Sequence, residues 1–222
     1  MNKVLWDALE HVKLDTGGAD AKGRNSASSY VAENDEKVGC LKLVKVWHAI
    51  GHTVSDSVRV KIVTESADQV KYAANVVKAA NHLSHMINRA LELIDEDQYK
   101  ALMDLQQRCV EKYAHVEALN AIDPLVYEGR AIMFNRQTPA HVDKQDPKRS
   151  WATMITLGDF TAGGNLRIER LNLTIRYLPR DVVILRGRLL QHEVQAWSGG
   201  RRISIAHFTH ESLWKEFGMT CP

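Results

Sequence analysis

His141 and Asp143 stand two residues apart in the stretch PAHVDKQD, residues 139–146. In a strand, positions i and i+2 point to the same face, so an imidazole and a carboxylate would sit side by side. That pair is the beginning of a metal site. Alone, His-x-Asp is a weak signal and equally fits polar residues of a surface turn. Its weight depends on a third ligand, and His192 in RGRLLQHEV is the candidate, flanked by apolar residues and preceded by the Gly187 turn. Two imidazoles and one carboxylate form a facial set that leaves three coordination positions open and suits Fe(II). A closed structural zinc site wants four protein ligands, and no fourth is evident. His115-Val116-Glu117 repeats the spacing inside a helical stretch, where i and i+2 do not face each other. His82 and His85, at i and i+3 of a helix, read as a solvated or core-edge pair without a third ligand.

The chain after His192 runs through VQAWSGG into RRISIAHFTHE. Period-2 alternation puts Arg202, Ser204, Ala206, Phe208 and His210 on one face, and Ile203, Ile205, His207 and Thr209 on the other. The first face packs poorly but would line a pocket well. Arg202 offers a rigid fork to a carboxylate, and Ser204 can donate a second hydrogen bond. A dicarboxylate held at one end by Arg202 could chelate the metal with the other. The competing reading makes Arg201 and Arg202 two adjacent surface arginines of a turn.

These residues need a scaffold, and 222 residues can bury a substantial core. A hydrophobic content of 45% with 25% charged residues is that of a globular protein. A net charge of +2 permits nucleic-acid binding without arguing for it. No run approaches the roughly 20 apolar residues of a membrane span. The N-terminal MNKVLWDALEHVKLD is amphipathic and carries acids, unlike a secretory signal. Cys40, Cys109 and Cys221 are too few and too far apart for a disulfide framework or a thiolate zinc site, which points to a reducing compartment.

Residues 1–30 read as a short amphipathic helix and a Gly/Ser-rich loop, and Val38 to Glu65 as two strands. From the Ser66 cap signal, Val70, Ala73, Ala74, Val77, Ala80 and Leu83 recur at helical spacing, and two helices joined near Asp95–Asp97 fill 66–120. After Pro124 come about eight short strand-like runs: VYEGRAIMFN, PAHVD, WATMITLG, NLRIERL, LTIRYL, DVVILRG, LLQHEVQAW and RRISIAHFT. Gly163-Gly164, Pro179-Arg180-Asp181, Gly187 and Ser198-Gly199-Gly200 separate them. The architecture expected is α+β, a helical support followed by a β-sandwich or barrel.

Taken together, His141-x-Asp143, His192 and Arg202-x-Ser204 resemble the signature of Fe(II)- and 2-oxoglutarate-dependent dioxygenases. FNRQTPAHVDKQD, ITLGDFTAGG and VVILRGRLLQHEVQAWSGGRRISIAHFTHESLW are similar to the TET/JBP branch, notably its compact fungal members that oxidise methylated DNA bases. The likeness runs from about Val126 to Trp214 and does not reach residues 1–65. It implies a double-stranded β-helix (jelly-roll) core over 121–222, with 66–120 as helical support and 1–65 as an N-terminal extension, in one compact unit. It also implies Fe(II) on His141, Asp143 and His192, with O2 and 2-oxoglutarate as co-substrates. Arg202 and Ser204 would hold the distal carboxylate, and Arg136 would be a second arginine reaching it. Asp146 and His210 stand where family members hydrogen-bond a flipped base, and Phe208 where an aromatic stacks on it. Asp146 also fits a loop cap, and Phe208 ordinary core. Lys144, Lys148 and Arg149 would contact phosphates or form a solvated charged loop.

The function implied is oxidation of a methyl group on 5-methylcytosine, with N6-methyladenine as the other base. The alternatives are hydroxylation of a protein side chain or small molecule, and a non-catalytic DNA-binding relative, whose broken triad is not seen here. The partner expected is DNA with methylated bases, in the nucleus, with no membrane and no obligate protein partner.

Overall fold

A computed structural model describes residues 5–6, 12, 14–16, 27–31, 37–46 and 67–222, with the backbone alone at 27 and 67–70. The second strand expected before Glu65 and the Ser66 cap lie outside the described residues, as does most of the N-terminal helix and loop.

The helical support is α1 (Ala67–Ile94), α2 (Glu96–Lys112) and α3 (Ala114–Ile122). Val76, Val77, Ala80, Leu83, Ile87 and Leu91 make a continuous buried stripe along α1, the 3.6-residue period that the sequence shows. The break at Asp95 is where the sequence puts it. The Asp95 carboxylate accepts from the Gln98 N–H at 2.9 Å, capping α2, a contact worth about 1 kcal/mol. Its other oxygen accepts from the Trp151 indole at 3.0 Å, tying the junction to the sheet.

The expected pair of helices is in fact three. Tyr113 is extended (φ −128°, ψ 97°) and ends α2. Its hydroxyl is hydrogen-bonded to Glu216, and its ring meets Phe217 edge-on. A tertiary anchor makes this break, with none of the Gly or Pro punctuation that sequence reading relies on.

The strands, in chain order, are β1 (Gly39–Val44), β2 (Gly129–Phe134), β3 (Ala152–Gly158), β4 (Ala162–Gly163), β5 (Leu166–Ile168), β6 (Leu173–Ile175), β7 (Val182–Leu185), β8 (Glu193–Val194), β9 (Trp197–Ser198) and β10 (Arg202–Phe208). A five-stranded antiparallel sheet has the order β1-β2-β10-β3-β7, a smaller one the order β6-β5-β8, and β4 pairs with β9. β1 places part of residues 1–65 in the core sheet, Gly39 opposite Phe134. Two expected runs are cut short: NLRIERL turns into a 3-10 turn after Ile168, and LLQHEVQAW divides into β8 and β9.

The large sheet has two unlike faces. Ile132 and Phe134 of β2, Ile155 and Leu157 of β3, and Ile203 and Ile205 of β10 join α1, α2 and α3 in the main hydrophobic core. Each such residue, fully buried, contributes about 1.5–3 kcal/mol. On the other face a smaller cluster of Leu166, Tyr177, Leu185 and Val194 joins β7 to the small sheet. Arg202 and Ser204 lie on this second side, and the alternation along β10 is as read from the sequence.

Candidate metal centre and adjoining pocket

PAHVD is not a full strand. Its residues add to the open edge of β8 as a short ladder: Val194 N–H donates to Thr138 at 2.9 Å, His141 N–H to His192 at 3.0 Å, and His192 N–H to His141 at 2.9 Å. His141 and His192 are thus direct antiparallel partners, their rings 4.3 Å apart. Asp143 follows outside the ladder, its N–H bonded to Gly187 O at 3.0 Å. A Cβ on Gly187 would overlap the Asp143 carboxylate. Glycine at that position permits the close approach, which a larger residue could keep only by moving the carboxylate.

One ligand atom from each of His141, Asp143 and His192 lies within 4.8 Å of the others, the only such group among the described residues. Nε2 of His141 is 3.6 Å from one Asp143 oxygen, and Nε2 of His192 is 3.9 Å from the other. Neither is a hydrogen bond, and both separations are compatible with ligands touching one ion at about 2.0–2.2 Å.

The tautomers are set by the backbone. Nδ1 of His141 donates to Pro139 O at 2.8 Å, and Nδ1 of His192 to Leu190 O at 2.8 Å. Each imidazole therefore keeps its Nε2 lone pair for a metal. This donor set of two imidazoles and a carboxylate fits Fe(II) with positions left for 2-oxoglutarate.

Arg202 is 1% exposed. Nη1 donates to Ser204 Oγ, Nη2 to Thr156 Oγ1 at 3.2 Å, and Nε has no acceptor. Tyr177, Trp197 and Phe160 surround its guanidinium carbon at 5.3, 5.7 and 5.8 Å. Burial lowers its pKa to about 10, so it stays cationic at neutral pH. Among the described residues no carboxylate lies within ion-pairing distance of it. An unpaired buried cation is costly, and an aromatic cage with two hydroxyls and a spare N–H is a candidate receptor for a carboxylate.

Thr156, Tyr177 and Asn135 complete this receptor and were not singled out in the sequence. Asn135, at φ 48°, sits in the left-handed region that asparagine tolerates. It receives the Arg202 N–H at 2.8 Å and so fixes the start of β10. An asparagine closing a strand-like run was the available signal. Arg136, one residue on, is buried with its guanidinium over the Tyr30 ring at 5.6 Å.

A third group forms where β10 ends. Phe208 and His210 stack with centroids 4.7 Å apart. The His210 N–H donates to Glu128 Oε2 at 2.8 Å, and its Nδ1 is 3.7 Å from the same oxygen. Glu128 also donates its N–H to Thr209 Oγ1 at 3.0 Å, clamping both residues. Asp146 is 6% exposed and acts electrostatically on the Glu128 carboxyl, while Gln145 O accepts from Glu211 N–H at 2.8 Å. The structure thus gathers Asp146, Phe208 and His210 around a residue the sequence did not flag. Glu128 is fully buried, and burial raises its pKa well above the usual carboxylate range, Asp146 and Glu216 adding to the effect and the His210 N–H opposing it. Lys144, Lys148 and Arg149 are exposed on the loop beside Asp143 and Asp146.

No protein-family model and no curated protein matches the sequence. The backbone is similar to that of NgTET1, solved in complex with 5mC DNA, with a TM-score of 0.54 and 18% identity over 66% of this chain and 55% of that one. The chain therefore spans about half the length of NgTET1. Shorter overlaps occur with the collagen prolyl hydroxylase of Paramecium Bursaria Chlorella virus-1 (TM-score 0.32, 14% identity, 45% of this chain and 69% of that one) and a 2OG-Fe(II) oxygenase from Burkholderia pseudomallei (0.31, 20%, 37% and 41%). Both cover too little of the fold to inform it. The fold is a double-stranded β-helix, and the TET/JBP resemblance in the sequence has its counterpart in the backbone. Among the described residues no helix is long and apolar enough to cross a membrane.

Proposed function

We propose that this protein is an Fe(II)- and 2-oxoglutarate-dependent dioxygenase that oxidises the methyl group of a DNA base, 5-methylcytosine before N6-methyladenine. The observation that carries the reading is the pairing of an open His141–Asp143–His192 donor set with a buried arginine, Arg202, that has no carboxylate partner among the described residues. Iron with 2-oxoglutarate supplies the oxidative decarboxylation that turns a C–H bond and O2 into C–OH, succinate and CO2.

The chain's own residues do the rest. His141, Asp143 and His192 hold the metal through atoms that the backbone carbonyls at 139 and 190 pre-orient. Arg202 and Ser204 bind the distal carboxylate, and Phe160, Tyr177 and Trp197 keep water from it. Arg136 is proposed as the second arginine on the co-substrate side.

A methyl group inside a duplex cannot reach a buried centre, so the nucleotide must leave the stack at a cost of a few kcal/mol. Phe208 and His210, already stacked on each other, offer an aromatic platform for that base. Asp146 can accept from its exocyclic amine. Likeness to a protein solved with 5mC DNA supports this substrate class. Lys144, Lys148 and Arg149 lie where phosphates of the same strand would pass.

Anaerobic titration with Fe(II) and 2-oxoglutarate is expected to produce a charge-transfer absorption band that His192→Ala abolishes. Duplexes carrying each methylated base are then incubated aerobically and their nucleosides analysed by mass spectrometry. Hydroxymethyl product in step with succinate is the expected result, lost in Asp146→Ala and His210→Ala while uncoupled succinate formation continues. A normal band with no oxidised base overturns the DNA assignment and favours a protein side chain or small molecule.

A further inference from the structure

A cleft of about 330 Å³ lies between the loop after Asp146, the helix α4 (Glu211–Glu216) and the residues that follow it. Lys148, Arg149, Arg188 and Lys215 line it against one acid, Glu211. Glu211 pairs with Lys215 at 3.0 Å, leaving the other three cations without a carboxylate in the cleft wall. Two of the residues that line the cleft also carry a buried donor with no acceptor among the described residues. The donors are Nη1 of Arg188 and the indole Nε1 of Trp214, a residue 1% exposed. Buried donors left unpaired are costly, and cations around them specify an anion.

The position of the cleft narrows its occupant. Arg188 follows Gly187, the residue pressed against the Asp143 carboxylate. Lys148 and Arg149 are two and three residues past Asp146, and Glu211 directly follows His210. The cleft is thus continuous in sequence with the metal ligands and with the base-recognition group. A small dicarboxylate needs one fork, as Arg202 provides. Charges spread along a cleft suit a chain of phosphates, each taking N–H donors without regard to base identity.

We infer that this cleft docks backbone phosphates of a nucleic-acid strand next to the extruded nucleotide. Arg188 and the Trp214 indole N–H are its inner donors, and Lys148, Arg149 and Lys215 its rim. The inference rests on the function proposed above and adds Arg188, Trp214 and Lys215 to it. These contacts hold the strand in register and leave the choice of base to Asp146, Phe208 and His210.

The test is fluorescence anisotropy of the full chain with a labelled duplex, methylated and unmethylated, across a salt series. Arg188→Gln and Lys215→Gln are each expected to weaken both duplexes by the same factor. Each should also flatten the dependence of log K on log salt by about 1. Lys78→Gln, an exposed change on α1, should alter neither quantity. Lys215 is exposed, so its variant reports even if Arg188→Gln fails to fold. Unchanged slopes in both cleft variants overturn the inference, as does an equal loss in Lys78→Gln. Wild-type protein that takes a poly-glutamate peptide in preference to duplex overturns it too. If cleft variants bind normally while wild type oxidises DNA, the cleft assignment falls and the proposed function stands. If wild type binds no duplex, both fall.

Discussion

Two arginines, each 1% exposed, stand on neighbouring strands of one sheet and face opposite ways. Arg130 of β2 looks toward the helices. Its guanidinium pairs with the Asp123 carboxylate just after α3 and donates to Ser84 Oγ at 2.6 Å. His207 across the ladder is driven down to about 3 by burial and by that same guanidinium. It therefore stays neutral, with its Nδ1 donating to Thr153 O at 2.9 Å. Arg202 of β10 looks toward the small sheet, and among the described residues its guanidinium meets hydroxyls and aromatic rings only. Burial of a charge is common to both and so says nothing of function. What separates them is whether the chain supplies the counter-charge. Arg130 closes an architectural joint; Arg202 presents a candidate receptor.

Four experiments bear on this contrast. Arg130→Ala leaves Asp123 buried and unpaired, and should cost about 3–5 kcal/mol in urea unfolding. Arg202→Met removes an unpaired cation, so its unfolding midpoint should hold or rise. Equal destabilisation by the two would break the comparison. Arg202→Met should instead weaken 2-oxoglutarate binding by about 2–5 kcal/mol, roughly thirtyfold or more, read from the anaerobic absorption band.

Gly187→Ala tests the receptor side at the metal. Pushing the Asp143 carboxylate aside should lower Fe(II) affinity by about 10–100-fold, with helix content by circular dichroism unchanged. Unaltered affinity would show that the carboxylate has room to yield. The smallest effect is expected at Glu128. Its pKa is raised in the folded state, so the native protein holds a proton that the unfolded chain has lost above its ordinary value of 4.5. Stability from this group is full below that value and declines as pH rises through the folded pKa. Glu128→Gln removes the decline, so the melting point of the variant relative to wild type should climb as pH rises above the ordinary carboxylate range. A difference constant with pH would contradict a protonated Glu128.

Much of the site was legible because its parts lie in short stretches with a local period. The face shared by Arg202, Ser204 and Phe208 follows from strand alternation alone. His141, Asp143 and His192 were distinguishable by type, although His141 is placed by a single bridge to His192, and Asp143 lies beyond it, instead of both standing in one strand. The third helix was not legible, because Tyr113 breaks it by reaching Glu216, 103 residues away. Glu128 was equally hidden: its partner His210 is 82 residues distant, and in sequence it is one more acid before a glycine.

The amino-acid order by itself determined the chemistry on offer: which residues can bind a metal, which fork can take a carboxylate, and which side of β10 each occupies. Those properties are covalent or repeat every two residues, so a short window contains them. Only the tertiary structure decided that Arg130 receives Asp123 while Arg202 receives no carboxylate from the described residues, and that Gly187 presses on Asp143. It also decided that Arg188 and Trp214, each with an unpaired donor, line one cleft. Each of those outcomes depends on which distant segment arrives to satisfy or abandon a buried group, and the energy of a buried charge is set by that arrival.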